Sequence, residues 1–524
     1  MKDFLTYLKE TEEVGYISQV INFLIEIEGL PSARLNELVV FETGEIGRIT
    51  TIAHKSVEVI TFSKTSVKVG TRVTRTNEFL MVGVGDGLLG KTVDPLGASL
   101  DPQNPIGKLS ELRPIDVTPG GIDTRSRITK PLETGATLVD LIIPLGMGQR
   151  ELVIGDRKTG KTSFLIQAIL TQAKRGTICI YAAIGKKTLD IKKIEELFQK
   201  SGIAKNTVVV ASSSQDPVGV IYLTPYTAMT VAEYFRDSGR DVLVVLDDLS
   251  THAKFYREIS LLGRRFPGRN SYPGDIFYTH AKLLERAGNF KTAKGPVSIT
   301  CLPVTEAVQG DLTGYIQTNL MSMTDGHIYF DNDLFSKGKR PAVNTFLSVT
   351  RVGRQTQSIL RRDINRELVS FLTLYDKMQR FVHFGAELSE TVKQTLATGQ
   401  KIEMFFKQSS YQTMEPNLQI FLFSLLWIGA WQDKKNDQML SEMRKIEELY
   451  NANEKNRAEV IASLSQAQSF NGYLNVLRKD LSGVLDRMLG RAKTPAPATP
   501  APAPVQQVAQ PAAQTTPTNL AQKQ

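Results

Sequence analysis

Gly155-Asp156-Arg157-Lys158-Thr159-Gly160-Lys161-Thr162 decides the fold of this chain. The stretch fits G-x-x-x-x-G-K-[ST] without substitution, the P-loop pattern whose backbone N–H groups cradle phosphate. Its flanks agree. Arg150–Ile154 reads as a short buried strand, and Thr162–Leu170 reads as the helix that follows it. Strand, glycine loop and helix N-terminus in that order make a pocket for an anion. In such a pocket Lys161 reaches the terminal phosphates as a point charge, and the Thr162 hydroxyl is the expected ligand of Mg²⁺. The chain is therefore expected to bind a nucleoside triphosphate. Whether it cleaves one depends on residues elsewhere.

Working outward, Thr177–Ile184, Thr207–Ala211, Val242–Leu246 and Val297–Leu302 are continuous apolar runs, as strands covered on both faces require. Helical segments such as Thr224–Arg236 alternate with them. Residues 77–357 are thus read as a P-loop nucleotide-binding domain of doubly wound α/β type. Before it, Ile17–Ile27 alternates in part, and Leu38–Phe41, Ile46–Ala53 and Val57–Phe62 are short and β-branched. Close-spaced short strands predict a small β barrel over 1–76. After it, strand signals vanish and helical periodicity predicts a helical domain over 358–492. Residues 493–524 are Pro, Ala, Gln and Thr without an aromatic. That composition cannot bury enough apolar surface to fold, so a disordered tail is expected.

Composition excludes several classes. At 524 residues the chain is too long for a single core. Cys179 and Cys301 lie far apart, each in an apolar run, which argues against a disulfide framework and for a reducing compartment. The histidines at 54, 252, 280, 327 and 383 lack metal-ligand spacing. Met1–Glu10 lacks the apolar core of a signal peptide. The most apolar stretch, Ile420–Trp431, falls short of the roughly 20 residues that span a bilayer and reads as a buried helix. Any membrane contact is expected through partners. The net charge of +9 comes without a long basic run or an arginine-aromatic stripe, so no nucleic-acid partner is expected.

A P-loop needs a second carboxylate on the Mg²⁺ side, at the end of a buried strand. Val242-Leu243-Val244-Val245-Leu246-Asp247 supplies one, and Asp248 follows. With Asp247-Asp248-Leu249-Ser250 come longer motifs: Tyr256 to Arg265, Pro267-Gly268-Arg269, Tyr272 to Tyr278, and Leu283-Leu284-Glu285-Arg286-Ala287. Gly148-Gln149-Arg150-Glu151-Leu152 precedes the P-loop, and Leu347-Ser348-Val349-Thr350-Arg351-Val352-Gly353 comes late in the domain, where Thr345–Val349 reads as an apolar strand that places Arg351 on a sheet edge or loop. Over about residues 15–490 these closely resemble the α subunit of the F-type rotary ATP synthase.

The resemblance implies the same three-part architecture, with ATP or ADP and Mg²⁺ as ligands. It implies a regulatory, non-catalytic subunit that alternates with β subunits in an α₃β₃ hexamer around a central rotor shaft. A peripheral stalk subunit holds the ring, and the F1 sector meets the membrane only through the Fo sector, at the cytoplasmic face of the cell membrane. The complex couples ATP synthesis or hydrolysis to ion transport, with protons expected and sodium left open. The phosphate cradle carried over is Gly155, Asp156, Arg157, Lys158, Thr159, Gly160, Lys161 and Thr162, with Thr162 as a Mg²⁺ ligand and Asp247 expected to hold the ion through water. Gln408, in Lys407-Gln408-Ser409-Ser410-Tyr411, matches a motif near the adenine. Arg351 matches the arginine that reaches across to the γ-phosphate held by β, and Ser348 is expected to help form that boundary. Arg354 is the weaker candidate.

The chain departs from that pattern at three places. The catalytic β glutamate that activates water has a glutamine counterpart in α; here Ala182-Ala183-Ile184-Gly185-Lys186 places Lys186 there. A protonated lysine accepts no proton, so no catalytic base is present. Lys158 replaces the usual glutamine of the loop. Two added cations near phosphate either tighten nucleotide binding or weaken the need for Mg²⁺. Finally, only about a dozen residues precede the first expected strand, where Met1, Phe4, Leu5 and Leu8 are read as a short apolar face. Stalk attachment through this segment is in question. A hexameric RNA translocase and a secretion-type ATPase share the nucleotide fold, but the long α-type motifs and Lys186 count against both.

Overall fold

A computed structural model of the protein describes residues 2–293, 295–383 and 389–490. The tail expected over 493–524 lies outside the described residues.

Six strands close the N-terminal barrel: β1 (Gly15–Ile21), β2 (Leu24–Glu28), β3 (Glu37–Phe41), β4 (Ile46–Ile52), β5 (Ser56–Thr61) and β6 (Arg72–Phe79). Their order around the barrel is β1-β2-β5-β4-β3-β6. Alternate residues point inward, so Ile17, Ile25, Ile27, Val39, Phe41, Ile49 and Val59 fill the interior. The run read as one segment over Ile17–Ile27 is a hairpin that turns at Asn22, where φ is 58°. The last strand continues to Phe79, three residues beyond the expected boundary at 76.

Helix α1 (Phe4–Thr11) precedes the barrel and is capped by Asp3, which accepts from Thr6 N at 3.0 Å. Its apolar face is Phe4, Tyr7 and Leu8, the i, i+3, i+4 set, packed on Val40 of β3. Leu5 points away and is exposed, and Met1 lies outside the described residues. The short apolar face is thus spent on the chain's own barrel.

The central sheet has nine strands: β7 (Thr92–Val93), β8 (Glu151–Gly155), β9 (Ile178–Lys186), β10 (Thr207–Ser213), β11 (Val242–Asp247), β12 (Gly288–Thr292), β13 (Gly295–Glu306), β14 (Gly326–Phe330) and β15 (Val349–Thr350). They lie in the order β15-β14-β8-β13-β11-β9-β10-β7, with β12 hairpinned onto β13. All pairings from β14 to β7 are parallel; β15 joins β14 antiparallel at the edge. Every residue of β8 and β11 is buried, as their unbroken apolar runs require. On one face lies α2 (Lys161–Lys174), whose Phe164, Leu165 and Ile169 pack with Val153, Val245 and Leu302. On the other lies α4 (Val218–Asp237), whose Ile221, Met229 and Phe235 pack with Ile154 and Leu246. Between them in sequence comes α3 (Thr188–Lys200), and α5 (Leu249–Leu262) follows β11. Helix α4 starts six residues before the expected Thr224, and Pro225 sits inside it. Burial on the sheet outweighs the backbone donor that proline lacks.

Thr345–Val349, expected as a strand, is mostly a turn. Asn344 Oδ1 accepts from Phe346 N and Leu347 N, each at 3.1 Å, and only Val349–Thr350 pairs with β14. The asparagine offers the backbone a local partner in place of a ladder.

The C-terminal helices dock on the α2 face of the sheet and share its core through Leu418, Phe421 and Leu422. The helix expected near Ile420–Trp431 runs from Pro416 to Trp427. Glu415 caps its start, Pro416 takes the first turn, and Gly429 at φ 84° ends it. Among the described residues no helix is long and apolar enough to cross a membrane.

Candidate nucleotide-binding site

The P-loop leaves the C-terminal end of β8 and enters α2, as its sequence requires. Gly155 passes so close to β14 that a Cβ there would lie 2.3 Å from Phe330 O. Gly160, at φ 99°, supplies the left-handed step into the helix. Lys158 also takes a left-handed conformation, φ 63°, at a cost of roughly 1–2 kcal/mol for a side chain with a Cβ. The loop is braced from within. Thr159 Oγ1 donates to Asp156 O at 2.8 Å, and Asp156 Oδ1 accepts from Gly310 N at 3.0 Å.

Lys161 is buried and folds over its own loop, donating to Gly155 O at 2.7 Å and Asp156 O at 2.6 Å. Burial holds its pKa below the usual lysine range, opposed by the field of Glu306, Asp247 and Asp248. An arriving phosphate offers this ammonium a charged acceptor in place of two neutral carbonyls. The cleft around it has a volume of about 560 Å³. Its basic side chains are Arg157, Lys158, Lys161, Lys186 and Arg340; its acidic ones are Asp247, Asp248 and Glu306. Thr162 and Gln408 also line it. Arg157 pairs with Glu306 at 2.8 Å.

Asp247 ends β11 beside the loop and is 4% exposed. Both its oxygens are engaged. Oδ2 accepts from the Tyr181 hydroxyl at 2.5 Å, and Oδ1 accepts from Lys186 Nζ at 2.7 Å. The same ammonium lies 3.3 Å from Asp248 Oδ2, while Asp248 Oδ1 caps α5 by accepting from Thr251 N at 2.6 Å. Strand register explains the meeting. Ala183 of β9 pairs with Asp247 of β11, and β9 runs on to Lys186, which turns back over the end of its neighbour. Burial disfavours the charge on Lys186, but Asp247 and Asp248 outweigh it and raise its pKa above the usual lysine value.

Mg²⁺ demands a near-ideal octahedron of oxygen ligands and dehydrates reluctantly. Asp247 does not offer it a free carboxylate, because a cation of this chain is already seated there. The residues present therefore do not fit the divalent ion that the sequence reading placed between Thr162 and Asp247. Thr162 itself is exposed in the cleft.

Gln408 reaches the cleft with its amide committed elsewhere. Its Oε1 accepts from Thr137 N at 2.7 Å, and its Nε2 donates to Gly135 O at 2.9 Å. The far wall of the cleft holds residues that sequence reasoning missed. Arg340 stacks on Phe335, 3.5 Å from the ring centroid, with Pro341 and Ala342 beside them. No motif marks these residues; only the return of the chain after β14 brings them to the loop.

Ser348 and Arg351 are not in the cleft. Gly326 of β14 pairs with both Glu151 of β8 and Thr350 of β15, so Arg351 lies at the strand end opposite the P-loop. Its N–H donates to Asp325 O at 3.0 Å, and its exposed guanidinium makes no hydrogen bond or ion pair among the described residues. Phe346, Leu347 and Val349 beside it are exposed large apolar residues. Ser348 fixes the preceding turn: its Oγ donates to Asn344 O at 2.6 Å and accepts from Tyr329 N at 2.9 Å.

Comparison with known proteins agrees with this geometry. The nucleotide-binding domain of the ATP synthase alpha/beta family matches residues 135–350, and the C-terminal domain of the ATP synthase alpha/beta chain matches 357–480. ATP synthase subunit alpha of Aquifex aeolicus (strain VF5) is 38% identical over 488 residues, 93% of this chain and 95% of that protein. ATP synthase subunit alpha of Neorickettsia sennetsu (strain ATCC VR-367 / Miyayama) is 41% identical over 421 residues, 79% of this chain and 82% of that protein. A P-loop α/β domain between a six-stranded barrel and a helical domain, matched across most of its length, leaves one assignment: the chain belongs to the ATP synthase alpha/beta family, among its α subunits.

Proposed function

We propose that this chain is the regulatory, non-catalytic α subunit of the F1 sector of a proton-translocating ATP synthase. It binds ATP or ADP in its own cleft without turning it over, and it lends Arg351 to the catalytic site of a neighbouring β subunit. The ring is α₃β₃ around a rotor shaft, held by a peripheral stalk and joined to the cytoplasmic face of the cell membrane through the Fo sector alone. No nucleic acid takes part.

The observation that carries this reading is the placement of Arg351. It is exposed and unpaired among the described residues, it is bordered by exposed apolar side chains, and it is a strand's length from its own P-loop. A free guanidinium on an apolar surface suits a subunit boundary, where it meets phosphate held by the partner. There it neutralises charge that builds on the transferring phosphoryl group, an effect worth roughly 10³–10⁵ in rate in related chemistry. Within the chain's own cleft, Lys186 stands where a water-activating base is needed. Held above the usual lysine pKa by two carboxylates, it cannot take a proton. Gln408 acts by holding the Gly135–Thr137 segment in place at the wall of the cleft, and the Arg340–Phe335 stack is the better platform for a base. No Mg²⁺ takes part at Thr162 and Asp247, because Asp247 already holds the Lys186 ammonium at 2.7 Å.

The purified chain should bind ATP and show negligible turnover alone, and should form a hexamer with turnover when mixed with its β-type partner. Steady hydrolysis by the chain alone that is abolished in Lys161→Ala would refute the non-catalytic assignment.

A further inference from the structure

We infer, resting on the nucleotide reading above, that the Lys186 ammonium is a tethered replacement for the divalent ion at this site, so that the subunit binds its nucleotide without Mg²⁺. Two independent features carry the inference. The first is the seat itself. Asp247 is the carboxylate at the end of the buried strand beside the P-loop, and Lys186 holds it at 2.7 Å while also facing Asp248 at 3.3 Å. Tyr181 takes the other Asp247 oxygen. A divalent ion entering here must displace a cation whose side chain is covalently anchored and flanked by two carboxylates.

The second is the supply of charge to the phosphates. An ammonium has three donors. The two carboxylates account for two, and the Lys186 side chain keeps 26% of its surface open on the cleft it lines. One donor is therefore left for a phosphate oxygen, next to Lys161 and Lys158. The five basic side chains of the cleft outnumber its three carboxylates without any added ion. In an ordinary P-loop site the metal neutralises the acidic residue and bridges the phosphates at the same time. Here Lys186 does the first through its two ion pairs and the second through its remaining donor. It differs from a metal in that it cannot leave with a departing nucleotide. Nucleotide exchange at this subunit is then decoupled from the free Mg²⁺ level.

The test is a titration of the full-length chain with ATP in excess EDTA and in millimolar Mg²⁺. Wild type should show dissociation constants within about threefold of each other. Lys186→Gln frees Asp247, so its affinity should fall about tenfold or more in EDTA and recover with Mg²⁺. Lys186→Arg keeps a cation at the seat and should remain indifferent to EDTA. A wild-type affinity that drops about tenfold or more in EDTA overturns the inference and leaves the nucleotide assignment standing. Lys186→Gln that stays as indifferent as wild type also overturns it, because the lysine then does nothing a metal does. Failure of ATP to bind under either condition overturns the nucleotide reading and this inference with it.

Discussion

Arg351→Ala tests the proposed action of this chain on a neighbour's site apart from its own nucleotide binding. The folding cost should be small. The guanidinium is exposed and has no hydrogen-bond or ion-pair partner among the described residues, and the backbone bond from Arg351 N to Asp325 O survives the change. Surface substitutions of that kind stay within about 0.5 kcal/mol. The cost to the chain's own nucleotide affinity should also be small. Thr350 pairs with Gly326 at the level of Glu151, four residues along β8 from Gly155. At ~3.3 Å per residue this is about 13 Å, beyond the screening length of about 8 Å at physiological salt. The dissociation constant should therefore hold within about twofold. Turnover in the assembled complex should fall by roughly 10³–10⁵, or about 4–7 kcal/mol of transition-state stabilisation. Lys161→Ala is the control. It removes the ammonium that bonds Gly155 O and Asp156 O, so it should weaken this subunit's nucleotide binding with a smaller effect on turnover. Equilibrium titration of each chain and steady-state hydrolysis by each complex decide the matter. If Arg351→Ala lowers the chain's own affinity and spares turnover, the trans-acting role is wrong.

The central domain offers two further tests. Arg286 is 1% exposed and grips both oxygens of Glu233 at 2.9 and 2.7 Å, so Arg286→Ala should cost about 3–5 kcal/mol in chemical denaturation by leaving a buried carboxylate unpaired. His252 Nδ1 lies 3.1 Å from His280 Nε2, and His252 Nε2 lies 3.1 Å from Tyr222 O, which suits two neutral rings each protonated at Nε2. Burial lowers the His252 pKa from 6.5 to about 4, so the unfolded chain takes up the proton first on acidification. Stability from this residue is intact above pH ~6.5 and falls by about 2 kcal/mol at pH 5, and denaturation midpoints that stay level between pH 7 and 5 would count against the assignment.

The sequence carried the strands of the central sheet because each is buried on both faces and reads as an unbroken apolar run. It carried the P-loop because glycine placement there is dictated by close approach and by φ. It misplaced the Thr345–Val349 segment because exposed apolar residues in a row look like strand residues. Phe346, Leu347 and Val349 are exposed in the single chain, and Asn344 turns the backbone before them. Lys186 was legible as a missing base, yet its pairing with Asp247 was not. That pairing depends on the register of β9 against β11, which local residue types do not encode. Arg340 and Phe335 were invisible for a similar reason: they come to the cleft only through the course of the chain beyond β14. Gln408 was legible as a cleft residue, but its amide bonds to the Gly135–Thr137 backbone are contacts across more than 270 positions.

The architecture accounts for the proposed action of this chain on a neighbour's site. In a parallel sheet, ligands gather at the carboxyl ends of the strands, and the P-loop, Asp247 and Lys186 all stand at that end. The antiparallel edge strand β15 reverses direction and delivers Arg351 to the other end. One chain cannot bring both ends to one phosphate without unpairing the sheet. Arg351 and the P-loop are therefore parted by strand geometry, and the proposed arrangement unites them by having a second subunit present its cleft to the Arg351 edge. Lys186 fits the same proposed division of labour. It puts an ammonium where the chain's own cleft would need a base and pairs with Asp247 and Asp248, so in the proposed role the subunit holds its nucleotide unchanged while turnover proceeds next door.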